Sequence, residues 1–168
     1  LADVVGRRRI LLAGLALFTV SSLVCGLAGD GLLLVAGRAT QGVGAALLSP
    51  AALSIITTSF HGNERNRALG AWAVIGGSGA AVGVLLGGLL TAGPGWEWIF
   101  FANVPVGLAV LLAVPAVVPA DPPRQEAGRL DIPGALLGTA AIVLLVYGLV
   151  EAGDSGWGAP QTLVPIAT

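Results

Sequence analysis

Residues 10–28, ILLAGLALFTVSSLVCGLA, run from Ile10 to Ala28 without a charged side chain. A spanning helix needs roughly 20 mostly apolar residues to cross about 30 Å of hydrocarbon. A helix of a soluble protein carries a polar face at a 3.6-residue period. Thr19, Ser21 and Ser22 are too few to make such a face. The stretch reads as a membrane span.

Working outward, the pattern recurs. Leu32 to about Thr58 is long and holds one charge, Arg38; Ala68 to Ala92 is uncharged and glycine-rich. Ile99 to Val118 is uncharged, with Asn103, Pro105 and Pro115 inside it, and Ile132 to Val150 is uncharged again. Leu163 to Thr168 looks like the start of a sixth span. The expected fold class is all-α, a polytopic helical membrane protein with five transmembrane helices and the start of another. Its expected organisation is a loop at residues 1–9, four helices across 10–118, a linker at 119–131, a fifth span at 132–150, and a loop at 151–162 before the last helix begins.

Composition agrees. Of 168 residues, 55% are hydrophobic and 10% charged, with a mean hydropathy of +0.91. A soluble domain carries about 25% charged residues, and this chain could not cover a globular surface with the few polar side chains it has. The chain has no lysine, which excludes a Walker-type phosphate loop and Schiff-base chemistry. One histidine, His61, and one cysteine, Cys25, build neither a zinc site nor an intramolecular disulfide. No cofactor and no nucleic-acid partner is expected. The absence of methionine leads us to expect a fragment or a processed piece of a longer chain.

The connections alternate in charge. Arg7, Arg8 and Arg9 precede the first span, Arg65 and Arg67 lie between the second and third, and Arg124 and Arg129 lie between the fourth and fifth. The connections around Asp30, around Glu97 and from Glu151 to Asp154 contain no basic residue. Seven of the eight arginines therefore fall on one face, and basic residues mark the cytoplasmic side. The chain is expected to start in the cytoplasm.

Arg38 is the ionisable group well inside a span. Its insertion costs about 2.5–3.5 kcal/mol, so it calls for a partner or a water-filled cavity. It lies six residues after Leu32, so it either snorkels to the outer headgroups or lines a polar pathway. Thr40 and Gln41 favour the second reading. In the third span, Gly76, Gly79, Gly83 and Gly87 recur at steps of three, four and four. That spacing stacks them on one helical face and predicts a seam for a closely approaching helix. Gly77-Ser78-Gly79 lacks the strand that a dinucleotide loop requires, and Ala80 breaks a nucleophile-elbow pattern.

Five stretches resemble the signature motifs of the major facilitator superfamily, in its fourteen-helix drug:proton antiporter branch. They are Leu1-Ala2-Asp3-Val4-Val5-Gly6-Arg7-Arg8-Arg9, Leu34-x-x-x-Arg38-x-x-Gln41-Gly42-x-Gly44-Ala45-Ala46, and Gly70 with Gly79, Gly83, Val84, Gly87 and Gly88. The run from Trp96 to Gly107 and Leu130-Asp131-x-x-Gly134 complete the set. The resemblance covers nearly the whole chain as helices three to seven, part of a major facilitator fold. It implies that Asp3, Gly6, Arg7 and Arg8 form a cytoplasmic gate motif, locked by charge contacts with a neighbouring helix end. It further implies that Arg38 and Gln41 serve proton coupling, and that Gly70, Gly79, Gly83, Gly87 and Gly88 form a helix-packing antiporter motif. Three positions depart from the family pattern: Val84 replaces proline, Glu97 replaces arginine, and Val4 replaces a basic residue.

The function so implied is proton-coupled export of small hydrophobic or cationic compounds, without enzymatic chemistry, by a multi-pass protein of the bacterial inner membrane. The expected partners are a small-molecule substrate, protons and the lipid bilayer, and the expected state is a monomer. Import by a facilitator-type symporter or uniporter, and a non-transporting sensor or partner role, are the alternatives. No carboxylate lies within a span, since Asp30, Glu97, Asp131 and Glu151 all sit at span ends. A coupling acid is therefore expected outside these residues.

Overall fold

The computed structural model describes residues 6–120 and 132–167, and all six elements within them are α-helices. They are α1 (Arg7–Gly26), α2 (Gly31–Ser59), α3 (Gly62–Ala92), α4 (Glu97–Val117), α5 (Ile132–Ser155) and α6 (Pro160–Ala167). The first five are long and apolar enough to cross a membrane.

Their ends follow from local chemistry. The Asp30 side chain accepts a hydrogen bond from the Leu33 amide at 2.8 Å, satisfying one of the orphan donors at the start of α2. Gly95 adopts φ 125° in the turn before α4, a left-handed conformation that glycine reaches at little cost. Val118 turns extended after α4, as a residue before Pro119 is biased to do. Helix α1 begins at Arg7 rather than after a loop ending at residue 9, so its arginines occupy the first turn. Helix α3 likewise takes in Arg65 and Arg67 ahead of the expected span. Helices α2 and α3 have 29 and 31 residues. At 1.5 Å per residue they run about 45 Å, beyond the hydrocarbon core unless tilted.

The chain forms two compact units. In the first, α1 is the hub, packed along α2 and α4. Its buried faces are mostly small or polar. From α1 come Gly14, Thr19, Ser21, Ser22, Cys25 and Gly26, with Ile10 and Leu15; from α2, Gly37, Gln41, Gly44 and Ala51; from α4, Gly107 and Val114. Large apolar side chains face outward instead, Leu112 at 80% and Leu89 at 70% exposure among them. This inverts a soluble core and suits lipid, where small residues let backbones approach and polar atoms join helices. Among the described residues of this unit, helix α3 touches α2 and α4 and has no buried residue.

In the second unit α6 folds back on α5. Gly156 turns the chain with φ 85°, and its carbonyl accepts a hydrogen bond from the buried Thr162 hydroxyl at 3.0 Å. The linker residues 121–131 and Asp3 lie outside the described residues.

Candidate functional site

A set of polar groups in the first unit joins α1 to its neighbours, contributed by Thr19 to Ser22 of α1, Gly37 to Gln41 of α2, and Phe100 to Gly107 of α4. Arg38 stands seven residues into α2, about 10 Å from its start at 1.5 Å per residue. Its Nη1 donates to Gln41 Oε1 at 2.6 Å. Its Cζ lies 5.7 Å from the centroid of the Phe100 ring, within cation–π range. Such a contact contributes about 0.5–2 kcal/mol, depending on how dry it is. The arginine remains exposed on the unit's surface, while Gln41 is 2% exposed.

Gln41 is oriented by its neighbour. A guanidinium only donates, so the amide oxygen faces it. The amide nitrogen is then buried without a hydrogen-bond partner among the described residues. An unmet buried donor costs about 1–3 kcal/mol. The fold tolerates that cost next to the charge in its span.

Two bridges flank the pair. Ser21 Oγ donates to Thr40 Oγ1 at 3.0 Å, and the Thr40 hydroxyl turns to the Gly37 carbonyl at 2.9 Å, joining α1 to α2. Ser22 Oγ donates to the Phe100 carbonyl at 3.0 Å and accepts from Asn103 Nδ2 at 3.2 Å, joining α1 to α4. Pro105 lacks the N–H that would have served the carbonyl of Phe101, one residue further on. Hydroxyl groups commonly serve carbonyls near such breaks in spanning helices. One turn beyond, Gly107 leaves room for the Thr19 hydroxyl, which occupies the place of a Cβ.

The other residues singled out in the sequence lie elsewhere. Arg7 and Arg8 border a small cleft of about 120 Å³ with Ile55, Thr58 and Ser59 from the end of α2 and Val118, Pro119 and Ala120 after α4. Arg8 Nη2 donates to the Pro115 carbonyl at 3.4 Å. The cations thus meet the C-terminal ends of two neighbouring helices, the negative poles of their dipoles. Gly6 leads into α1 with φ 113°. On α3, nothing approaches within 4 Å of where a Cβ would sit on Gly70, Gly76, Gly79, Gly83 or Gly88, and Gly87 meets only Ile99 Cδ1 at 4.0 Å. The expected seam is open among the described residues. The close helix crossing is made instead by Gly14 and Gly44, each against the other's carbonyl oxygen.

Sequence reasoning therefore found Arg38 and Gln41, which adjoin, and missed their tertiary neighbours. Ser22 and Asn103 carried a signal as polar residues in apolar spans. Phe100 carried none beyond its place near a helix start.

Comparison with known proteins places these features in a family. Residues 1–150 match the model of the Major Facilitator Superfamily. The cephamycin export protein of Amycolatopsis lactamdurans is 44% identical over 99% of this chain and 35% of its own length. The puromycin resistance protein of Streptomyces alboniger is 47% identical over 95% of this chain and 31% of its own. The methylenomycin A resistance protein of Bacillus subtilis (strain 168) is 39% identical over 98% of this chain and 35% of its own. The chain thus spans about a third of the length of the curated relatives it matches.

Proposed function

The chain belongs to the major facilitator superfamily, and from that premise we propose that it is the part of a proton-coupled exporter holding four helices of one bundle and a fifth span beyond them. The exporter expels small hydrophobic or cationic compounds from a bacterial cell, with the residue 1 side in the cytoplasm. The observation that carries this is Arg38, a cation within a span, fastened by Gln41 and set against an aromatic ring. A charge at that depth is expensive, and its partners are those of a pathway rather than of a lipid-facing surface. The relatives named for export and antibiotic resistance support the direction of transport.

Roles follow residue by residue. Arg38, positioned by Gln41, tunes the titration of a carboxylate on the pathway. The described spans hold carboxylates only near their ends, at Asp30, Glu64, Glu97, Glu151 and Asp154. The coupling acid is therefore assigned outside residues 1–168. Asp3, Arg7 and Arg8 close the cytoplasmic side, and the Arg8 contact with the end of α4 supports that role. The open glycine face of α3 receives a helix from elsewhere in the full protein as the two bundles rock about a central site. The protein acts as a monomer.

The test uses the complete gene in inverted membrane vesicles. A lipophilic cationic dye is added outside, a proton gradient is imposed, and dye uptake is followed in wild type and Arg38→Ala. Gradient-driven uptake that disappears in the variant supports proton-coupled export through Arg38. Uptake that survives unchanged removes Arg38 from the coupling path. A folded wild type that moves no dye points to a narrower substrate or to import.

A further inference from the structure

Arg38 has one short hydrogen bond, at Nη1 to Gln41. A single hydrogen bond leaves a planar guanidinium free to swing about it, so a second contact sets its plane. That contact is the Phe100 ring, whose negative face attracts the cation. The ring belongs to a different helix, 62 positions away in sequence (100 − 38).

Phe100 is itself held at two points, one on its backbone and one on its ring. Its backbone carbonyl accepts the Ser22 hydroxyl, and that hydroxyl, fully buried, accepts the Asn103 amide. Trp96 packs edge-on against the ring with centroids 6.1 Å apart. A chain of contacts therefore runs from Asn103 through Ser22 and Phe100 to Arg38, across α4, α1 and α2. We propose that Phe100 is a positioning residue for Arg38, held by the Ser22–Asn103 bridge so that the orientation of the cation depends on how α1 packs against α4. This rests on the reading of Arg38 as part of the coupling path. In a transporter that rocks its helices, the arrangement ties the direction of a charge within a span to helix packing.

The experiment uses the full-length protein in inverted vesicles and reads two activities, gradient-driven dye uptake and dye exchange without a gradient. Phe100→Leu keeps an apolar side chain and removes the ring. It is expected to lower gradient-driven uptake about five-fold, the weight of a partly desolvated cation–π contact, while exchange and membrane content stay within about two-fold. Phe100→Trp and Phe100→Tyr are expected to recover most of the loss. Ser22→Ala is expected to move gradient-driven uptake in the same direction by a smaller factor. Equal loss of both activities, with Phe100→Trp no better than Phe100→Leu, would show a structural role and overturn the proposal. So would Phe100→Leu with wild-type gradient-driven uptake while Arg38→Ala abolishes it, in which case the reading of Arg38 stands alone. If Arg38→Ala keeps full gradient-driven uptake, the reading of Arg38 falls and takes the proposal with it. Should Phe100→Leu not reach the membrane, Phe100→Met is read by the same criteria.

Discussion

The carbonyl oxygen of Gly14 on α1 lies 2.9 Å from the point where a side chain on Gly44 of α2 would begin, and the Phe18 amide nitrogen lies 2.7 Å from it. Both obstacles are backbone, which cannot rotate aside. The two helices meet main chain to main chain, and Arg38 stands one to two turns along from that crossing.

Gly44→Val should therefore push α1 and α2 apart. Overpacking of this kind costs about 1–3 kcal/mol, read as a lower Tm of the detergent-solubilised full-length protein. Gly42, on the opposite side of the helix, has nothing within 4 Å among the described residues, so Gly42→Val is the control and should lower the Tm much less. Equal Tm values for wild type and Gly44→Val would refute the crossing.

Gln41→Leu separates stability from transport. It removes the acceptor of Arg38, a bond to a charged group worth about 1.5–3 kcal/mol, but it also removes a buried donor without a partner, which offsets about 1–3 kcal/mol. The net change in stability is expected to stay within about 1 kcal/mol. Gradient-driven dye uptake should nonetheless fall, because the guanidinium loses its anchor. A variant that transports as wild type, measured at equal membrane content, would leave Gln41 with a packing role only.

Sidedness is open to direct labelling. Cys25, the one cysteine of these residues, is fully buried and should add little background. In the full protein, a cysteine placed at Asn63 is expected to react with a membrane-impermeant maleimide only from the cytoplasmic side, and one at Gly29 only from outside. Both positions border exposed connections between helices. Reaction of both from the same side, or in the reverse order, would overturn the orientation drawn from the arginines.

Much of the architecture was legible in the sequence. Each of the five spans announced itself through length and lack of charge, as with Ile10 to Ala28 against the observed α1. The boundaries were less legible: Arg7 to Arg9 and Arg65 to Arg67 read as loop residues, yet they continue the helices, because arginine is a good helix former and its charge can still reach the headgroups. Asp30 was read as a span-end carboxylate and serves as a helix cap. Arg38 and Gln41, three residues apart on one helix, were legible as a pair because residues at that spacing share a face. Gly76, Gly79, Gly83 and Gly87 showed a face by the same rule, but the rule does not say what the face meets.

By itself the sequence determined the five candidate spans and the place of Arg38 within one of them, since a bilayer selects on length and apolarity that are read residue by residue. Only the tertiary structure decided which sides of those helices meet. The spans are apolar nearly all round, so no polar stripe marks an outward face and no apolar stripe an inward one. Contact is settled by where a glycine admits a backbone, as at Gly14 and Gly44, and where one hydroxyl finds a carbonyl 78 residues away, as Ser22 finds Phe100. Those are matters of fit between distant segments, and through them Phe100 comes to lie beside Arg38.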